Sequence, residues 1–261
     1  MTRTSPRSFP TRTNFHSSKL IRCLADLGMV EIAGPGNAFA EKLGSWIHFA
    51  DAIALSGLQI DSAAAAPKRP PSLQADLLAG ARAADAELER VHAFMKNSIR
   101  NSFMLQPGRS HMALPEPVSE TPVNLRASYV PYRRFYEAHQ RDMETSIQLL
   151  RTSLRQSAVK ASPRLRKLAE VDAMAEKILR ERENRLLSKM PALLLKRFEQ
   201  LFREHQQKLE ETQQADNPAS WMKKNGWLTS FCNEMQMLLL AEMEFRLQPA
   251  MGLVEAFKQE T

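Results

Sequence analysis

Beyond Gly108 apolar residues recur at three- and four-residue spacing, with Glu, Lys and Arg between them, and no glycine interrupts the pattern before Gly226. Such spacing returns side chains to one face of a 3.6-residue helix, so the pattern predicts long amphipathic helices. Tyr132, Phe135, Tyr136, His139, Met143, Ile147, Leu150 and Leu154 line one side of a helix expected from about Tyr132 to Lys160. Ser162-Pro163 restarts the chain, because serine suits the N-cap and proline the first helical position, where its missing N–H costs nothing. The next stripe, Leu165, Leu168, Val171, Ala175, Ile178 and Leu186, continues beyond Pro191, where a kink is expected, into Leu194, Leu195, Phe198, Leu201, Phe202 and Leu209. Asn217-Pro218 offers another cap-plus-proline start before Leu228, Phe231, Met235, Leu238, Leu239, Met243 and Phe245, a stripe expected to bend or break at Pro249 and to end with Leu253, Val254 and Phe257.

Upstream, Leu20, Ile21, Leu24 and Leu27 mark a short helix ended by Gly28. Asn37 caps a second one carrying Phe39, Leu43, Trp46, Ile47, Ala50, Ile53 and Ala54, and the two are expected to form a hairpin. A third helix starts at Ser72 and carries Leu77, Ala81, Ala84, Leu88, Val91 and Met95 at alternating four and three spacing. That is a heptad seam, which keeps one stripe against a partner helix. Spacing alone leaves open whether the partner lies in the same chain or in another, which is the coiled-coil reading. Pro107, Pro115, Pro117, Pro122 and Pro131, with Gly108, then favour extended chain over helix.

The expected fold class is therefore all-α: an N-terminal helical hairpin plus heptad helix, a Pro-rich linker, and an elongated C-terminal antiparallel helical bundle. The expected boundaries are a disordered basic tail over 1–16, a helical region over 17–101, the linker over 102–131 and the bundle over 132–258.

Composition agrees with helices and a thin core: 43% hydrophobic, 25% charged, only 7% aromatic, and Met 13 against Gly 9. Cys23 and Cys232 lie far apart, which supports neither a disulfide framework nor a zinc knuckle and fits a reducing compartment. The start carries Arg3, Arg7, Arg12, Lys19 and Arg22 with no acid before Asp26, but no apolar run long enough for a secretory signal. The most apolar run, Met237 to Ala241, is cut by Glu242, Glu244 and Arg246, far short of the ~20 residues a bilayer needs. The expected location is the cytoplasm.

The sequence offers little chemistry. Gly34-Pro35-Gly36 lacks the Lys and Ser or Thr of a Walker loop and the preceding strand of a dinucleotide loop, so it reads as a turn into the Asn37 cap. Glu89 and His92 form a single Glu-x-x-His, whereas a di-iron bundle site takes two plus further inward glutamates. No Gly-x-Ser-x-Gly or His-Glu-x-x-His is present. No catalytic residue, cofactor or metal ligand is assigned, and no small-molecule substrate is evident.

The net charge of +7 is compatible with anionic partners, and its distribution matters more than its total. Arg151, Arg155, Lys160, Arg164, Arg166 and Lys167 occur between Glu144 and Glu170 with no acid among them. If the chain reverses near Ser162 they crowd a hairpin tip, where helix N–H groups also favour an anion. Two readings stand there: a solvated bundle end, or a site for an acidic or phosphate-bearing partner. Elsewhere Glu176 before Arg180, Glu181 before Arg185, Glu199 before Arg203 and Glu204 before Lys208 are pairs that support a wet helix face. Met222, Met235, Met237, Met243 and Met251 serve either as core filler or as an adaptable docking groove.

Two segments carry a family resemblance. One runs from Ser18-Lys19-Leu20-Ile21-Arg22 through Ala38-Phe39-Ala40-Glu41-Lys42-Leu43-Gly44-Ser45-Trp46 to Asp51-Ala52-Ile53-Ala54-Leu55, and the other is Glu244-Phe245-Arg246-Leu247-Gln248-Pro249-Ala250-Met251-Gly252-Leu253-Val254-Glu255-Ala256. The chain resembles an uncharacterised, mainly proteobacterial family of short helical proteins. The resemblance implies genes beside those for OmpA-like and MotA-like membrane proteins, hence a cytoplasmic accessory of a bacterial envelope assembly, and it supplies no catalytic residues. The function expected is a non-enzymatic helical adaptor that binds a protein partner or itself; the alternative is nucleic-acid binding through the basic tip and tail.

Overall fold

A computed structural model describes residues 19–29, 71–104, 112–117 and 124–261. The basic tail, the Gly34-Pro35-Gly36 turn, the helix expected after Asn37 and the Ala/Pro segment that follows it lie outside the described residues. Among those described the protein is all-α, with no strand. The helices are α1 (Lys19–Asp26), α2 (Pro71–Ser102), α3 (Leu125–Ala161), α4 (Pro163–Leu187), α5 (Met190–Thr212) and α6 (Trp227–Glu260), with a 3₁₀ turn at Pro218–Ser220 between α5 and α6.

Local signals set most helix ends. Gly28, at φ +66°, takes the left-handed conformation that closes α1. Ser162 caps α4 through a 3.1 Å bond from the Leu165 amide, with Pro163 at the first position. α3 differs from expectation: Asn124 accepts from the Ala127 amide at 3.1 Å, so the helix begins at Leu125 and Pro131 lies inside it. Between α4 and α5 the break falls at Ser188 and Lys189, both near-helical in backbone, and Pro191 sits at the start of α5. Asn217-Pro218 starts the 3₁₀ turn rather than the long last helix, which begins after Gly226 and runs unbroken through Pro249. A Cβ at Gly226 would collide with the Trp221 carbonyl, so the approach of that turn to α6 requires glycine.

Cross-helix contacts fix the arrangement. α2 runs antiparallel to α3, since Ser153 bonds Glu87 while Ser102 meets His139. α3 runs antiparallel to α4, with Arg151 on Asp172 and Glu144 on Arg180. α5 runs antiparallel to α6, with Arg197 on Glu234 and Phe202 against Trp227. α3 and α6 lie parallel to one another, with Tyr132 against Phe231 and Tyr136 on Glu242. A single apolar cluster draws on every one of these helices, α1 included through Leu20 and Leu24. The segment expected as linker takes part too: Leu114 donates its amide to the Ser102 carbonyl at 3.0 Å and packs on the core. α2 and the C-terminal helices thus bury their faces against each other, not in separate cores.

Candidate functional site

The heptad seam is occupied within the chain. Leu77, Ala81, Ala84 and Met95 are buried and Leu88 and Val91 half-buried, and all but Leu77 pack in the common core where α2 meets α3 and α6. His92 faces Glu244 of α6, Nε2 to Oε1 2.9 Å, while Glu89 is exposed. The two residues of the single Glu-x-x-His are thus split between a contact to α6 and solvent. Among the described residues no group of three or more His, Cys, Asp or Glu is placed to hold a metal ion.

Two arginines of the basic stretch have acidic partners across the helix turn. Arg151 meets Asp172 at 2.7 Å, and Arg155 meets Glu176 at 2.6 Å and Asp172 at 3.5 Å. Arg164 contacts Glu260 at 3.5 Å, and Arg166 donates to the Val159 carbonyl. Lys160 is exposed and Lys167 half-buried. The stretch is acid-free only along the chain; when α4 turns back at Ser162 it brings Asp172 and Glu176 beside the two arginines of α3.

Those pairs continue into a polar seam between α3, α4 and α6 that the sequence reading did not single out. Glu242 is fully buried, accepting from Tyr136 Oη at 2.7 Å, Gln140 Nε2 at 2.9 Å and Arg246 Nε at 2.9 Å. Arg246 Nη1 also approaches Glu183 at 3.9 Å. Burial pushes the Glu183 carboxyl above its ordinary pKa, opposed by Arg246 and Arg151. Burial, then the Glu242 charge and its hydrogen bond, hold the Tyr136 phenol far above 10. A cavity of about 150 Å³ opens beside this network, lined by Ile147, Arg151, Asp172, Glu183, Arg246 and Pro249 among others. Arg151 Nε and Asp172 Oδ2 are buried there without a hydrogen-bond partner. The signal in the sequence was the interruption of the most apolar stretch by Glu242 and Arg246, four apart and so on one helix face.

Ser102 and His139 form a second buried polar pair, Oγ to Nε2 2.9 Å, each at most 2% exposed. Ser102 gives its one hydroxyl proton to the Ile99 carbonyl at 2.8 Å, so Nε2–H of His139 donates to Oγ. The imidazole therefore acts as a donor to the serine, not as its base, and its ring packs edge-on against Phe135. Burial lowers the His139 pKa to about 4, with Asp142 opposing. The unfolded chain, at its ordinary value near 6.5, takes up this proton first, so the stability held above that pH is lost as pH falls from about 6.5 to about 4. We expect about 3 kcal/mol to be lost over that window. Urea melts at stepped pH should show a shallower acid slope for His139→Gln than for the parent; equal slopes would contradict the assignment.

The methionines divide: Met235 and Met243 are core, Met222 is half-buried, and Met237 and Met251 are exposed. Both cysteines are free, and burial pushes the Cys232 thiol up to about 12, away from nucleophilic chemistry at neutral pH. No helix among the described residues is long and apolar enough to cross a membrane.

No curated protein and no solved structure matches this chain. The model of one family, described as a protein of unknown function (DUF3348), matches residues 7–259. That match reaches every helix described above, all but the last residue of α6, and covers both segments that carried the resemblance, and the chain belongs to the DUF3348 family of proteins of unknown function.

Proposed function

We propose that the protein is a non-enzymatic helical adaptor, a cytoplasmic accessory of a bacterial envelope-associated assembly. One observation carries the reading: helices whose inner faces are filled still present Phe94 at 67% and Leu149 at 68% exposure. Large apolar side chains kept in water on a rigid scaffold favour contact with another protein. The polar seam supports the same reading, since its charges are matched mainly to each other. The envelope association rests on the family resemblance. Nucleic-acid binding is the weaker reading, because Arg151, Arg155 and Arg164 are engaged by acids of the same chain.

The test is size-exclusion chromatography of a native-cell lysate, with the full chain detected by antibody. Elution in an assembly larger than two copies is the expected result. Elution as one or two copies would overturn the adaptor role.

A further inference from the structure

α2 has a second stripe opposite its buried seam. Ala83, Ala86, Arg90, Ala93, Asn97 and Arg100 follow one another at alternating three and four spacing, and every one is exposed. This is coiled-coil spacing on a face that no other described element covers. Phe94 borders the stripe on the side toward α3, because it lies one heptad beyond Glu87, which bonds Ser153 of α3 at 3.0 Å. Leu149 lies one turn before Ser153 on the same flank of α3. The antiparallel register set by the Glu87–Ser153 and Ser102–His139 contacts puts Leu149 and Phe94 within about one turn of each other. The two most exposed large apolar side chains among the described residues therefore flank one groove, beside alanines that permit close approach of another helix.

We propose that this face binds a second copy of the chain, α2 against α2, antiparallel about a two-fold axis near Phe94. Charge selects both partner and register. Glu89 and Arg100, both exposed, lie nearly equidistant from Phe94 on the opposite side of the stripe. A two-fold axis there sets Glu89 of each copy against Arg100 of the other, because antiparallel helices bring like flanks together. Arg90 falls between Asn97 and Asn101 across the axis, whose side-chain carbonyls accept from a guanidinium. Centring the pair near Arg90 instead would oppose Arg90 to Arg90 and Glu89 to Glu89, a like-charge arrangement. In the favoured register the two Phe94 rings meet at the axis, each beside Leu149 of the other copy.

The inference deepens the adaptor reading by naming one partner, and its test is separate because it uses purified full-length chain. Sedimentation velocity over a concentration series should give a monomer–dimer equilibrium for the parent. Phe94→Glu and Leu149→Glu should each raise the dimer Kd by at least about tenfold. Both positions are exposed, so thermal melts of these variants should match the parent's at concentrations where the parent is monomeric. Glu89→Arg and Arg100→Glu should each weaken the dimer, and Glu89→Arg/Arg100→Glu together should restore it, an outcome general loss of packing would not give. A parent that stays monomeric, as it would if its own 30–70 segment or a different protein covered this face, overturns the proposal. So does a dimer indifferent to Phe94, or a charge-swap double no better than the singles. A purified monomer found in a large assembly in lysate refutes the two-fold contact alone; a purified dimer that elutes as a dimer from lysate refutes the adaptor role alone.

Discussion

Arg246→Ala is expected to cost ~3–5 kcal/mol of stability. Glu242 is fully buried, and among the described residues Arg246 is the only cation hydrogen-bonded to it. Removing the guanidinium leaves a carboxylate held by Tyr136 and Gln140 alone, with the desolvation cost of the charge unopposed. For a chain of this size that corresponds to a fall in Tm of roughly 6–20 °C. Adding Glu242→Gln to Arg246→Ala should recover much of the loss, because the amide keeps an acceptor for Tyr136 without a charge. Calorimetry of the single and double variants decides it: a single variant within ~1 kcal/mol of the parent would mean that water reaches Glu242.

Phe198→Ala should follow closely, at ~3–5 kcal/mol. Phe198 is 1% exposed, and its ring centroid lies 5.0 Å from Phe231, 5.1 Å from Trp227, 5.6 Å from Tyr129 and 5.8 Å from Tyr132. These residues come from α3, α5 and α6, so the ring joins all three helices, edge-to-face on Phe231 and Trp227 and tilted on the two tyrosines. The neighbours are themselves tied: Tyr129 Oη donates to the Pro191 carbonyl at 2.6 Å, so they cannot readily collapse into the void. Denaturant melts should show the midpoint fall, with near-UV circular dichroism reporting loosened aromatic packing. A loss under ~1 kcal/mol would indicate that the cluster repacks freely.

Helix positions were largely legible because their signals are local. The Ser162-Pro163 start, the Gly28 stop and the stripe from Tyr132 to Leu154 each depend on residues within a few positions of each other. Proline misled where its rule is conditional. Pro131 sits in the second turn of α3 because Asn124 caps the helix earlier, and Pro249 lies within α6, whose neighbouring residues Leu247 and Ala250 are anchored in the core. Of the site, the buried polar seam left one trace, two charges four apart in an apolar run, and nothing local pointed to Tyr136, Gln140 and Glu183 as their partners. The partners of the basic stretch were hidden for the same reason in reverse: Asp172 and Glu176 lie well along the chain from Arg151, but one helix reversal sets them side by side.

By itself the sequence determined that this is a helical protein and which face of most of its helices turns inward, because a helix repeats every 3.6 residues and hydrophobic burial acts on that repeat. Only the tertiary structure decided what each face meets: that the seam of α2 closes on its own chain, that Arg151 and Arg155 are neutralised by α4, and that Glu242 finds Arg246, Tyr136 and Gln140 in the interior. Burial of apolar surface is non-directional and accepts many partners, whereas pairing charges out of water depends on distances that exist only once the helices have packed.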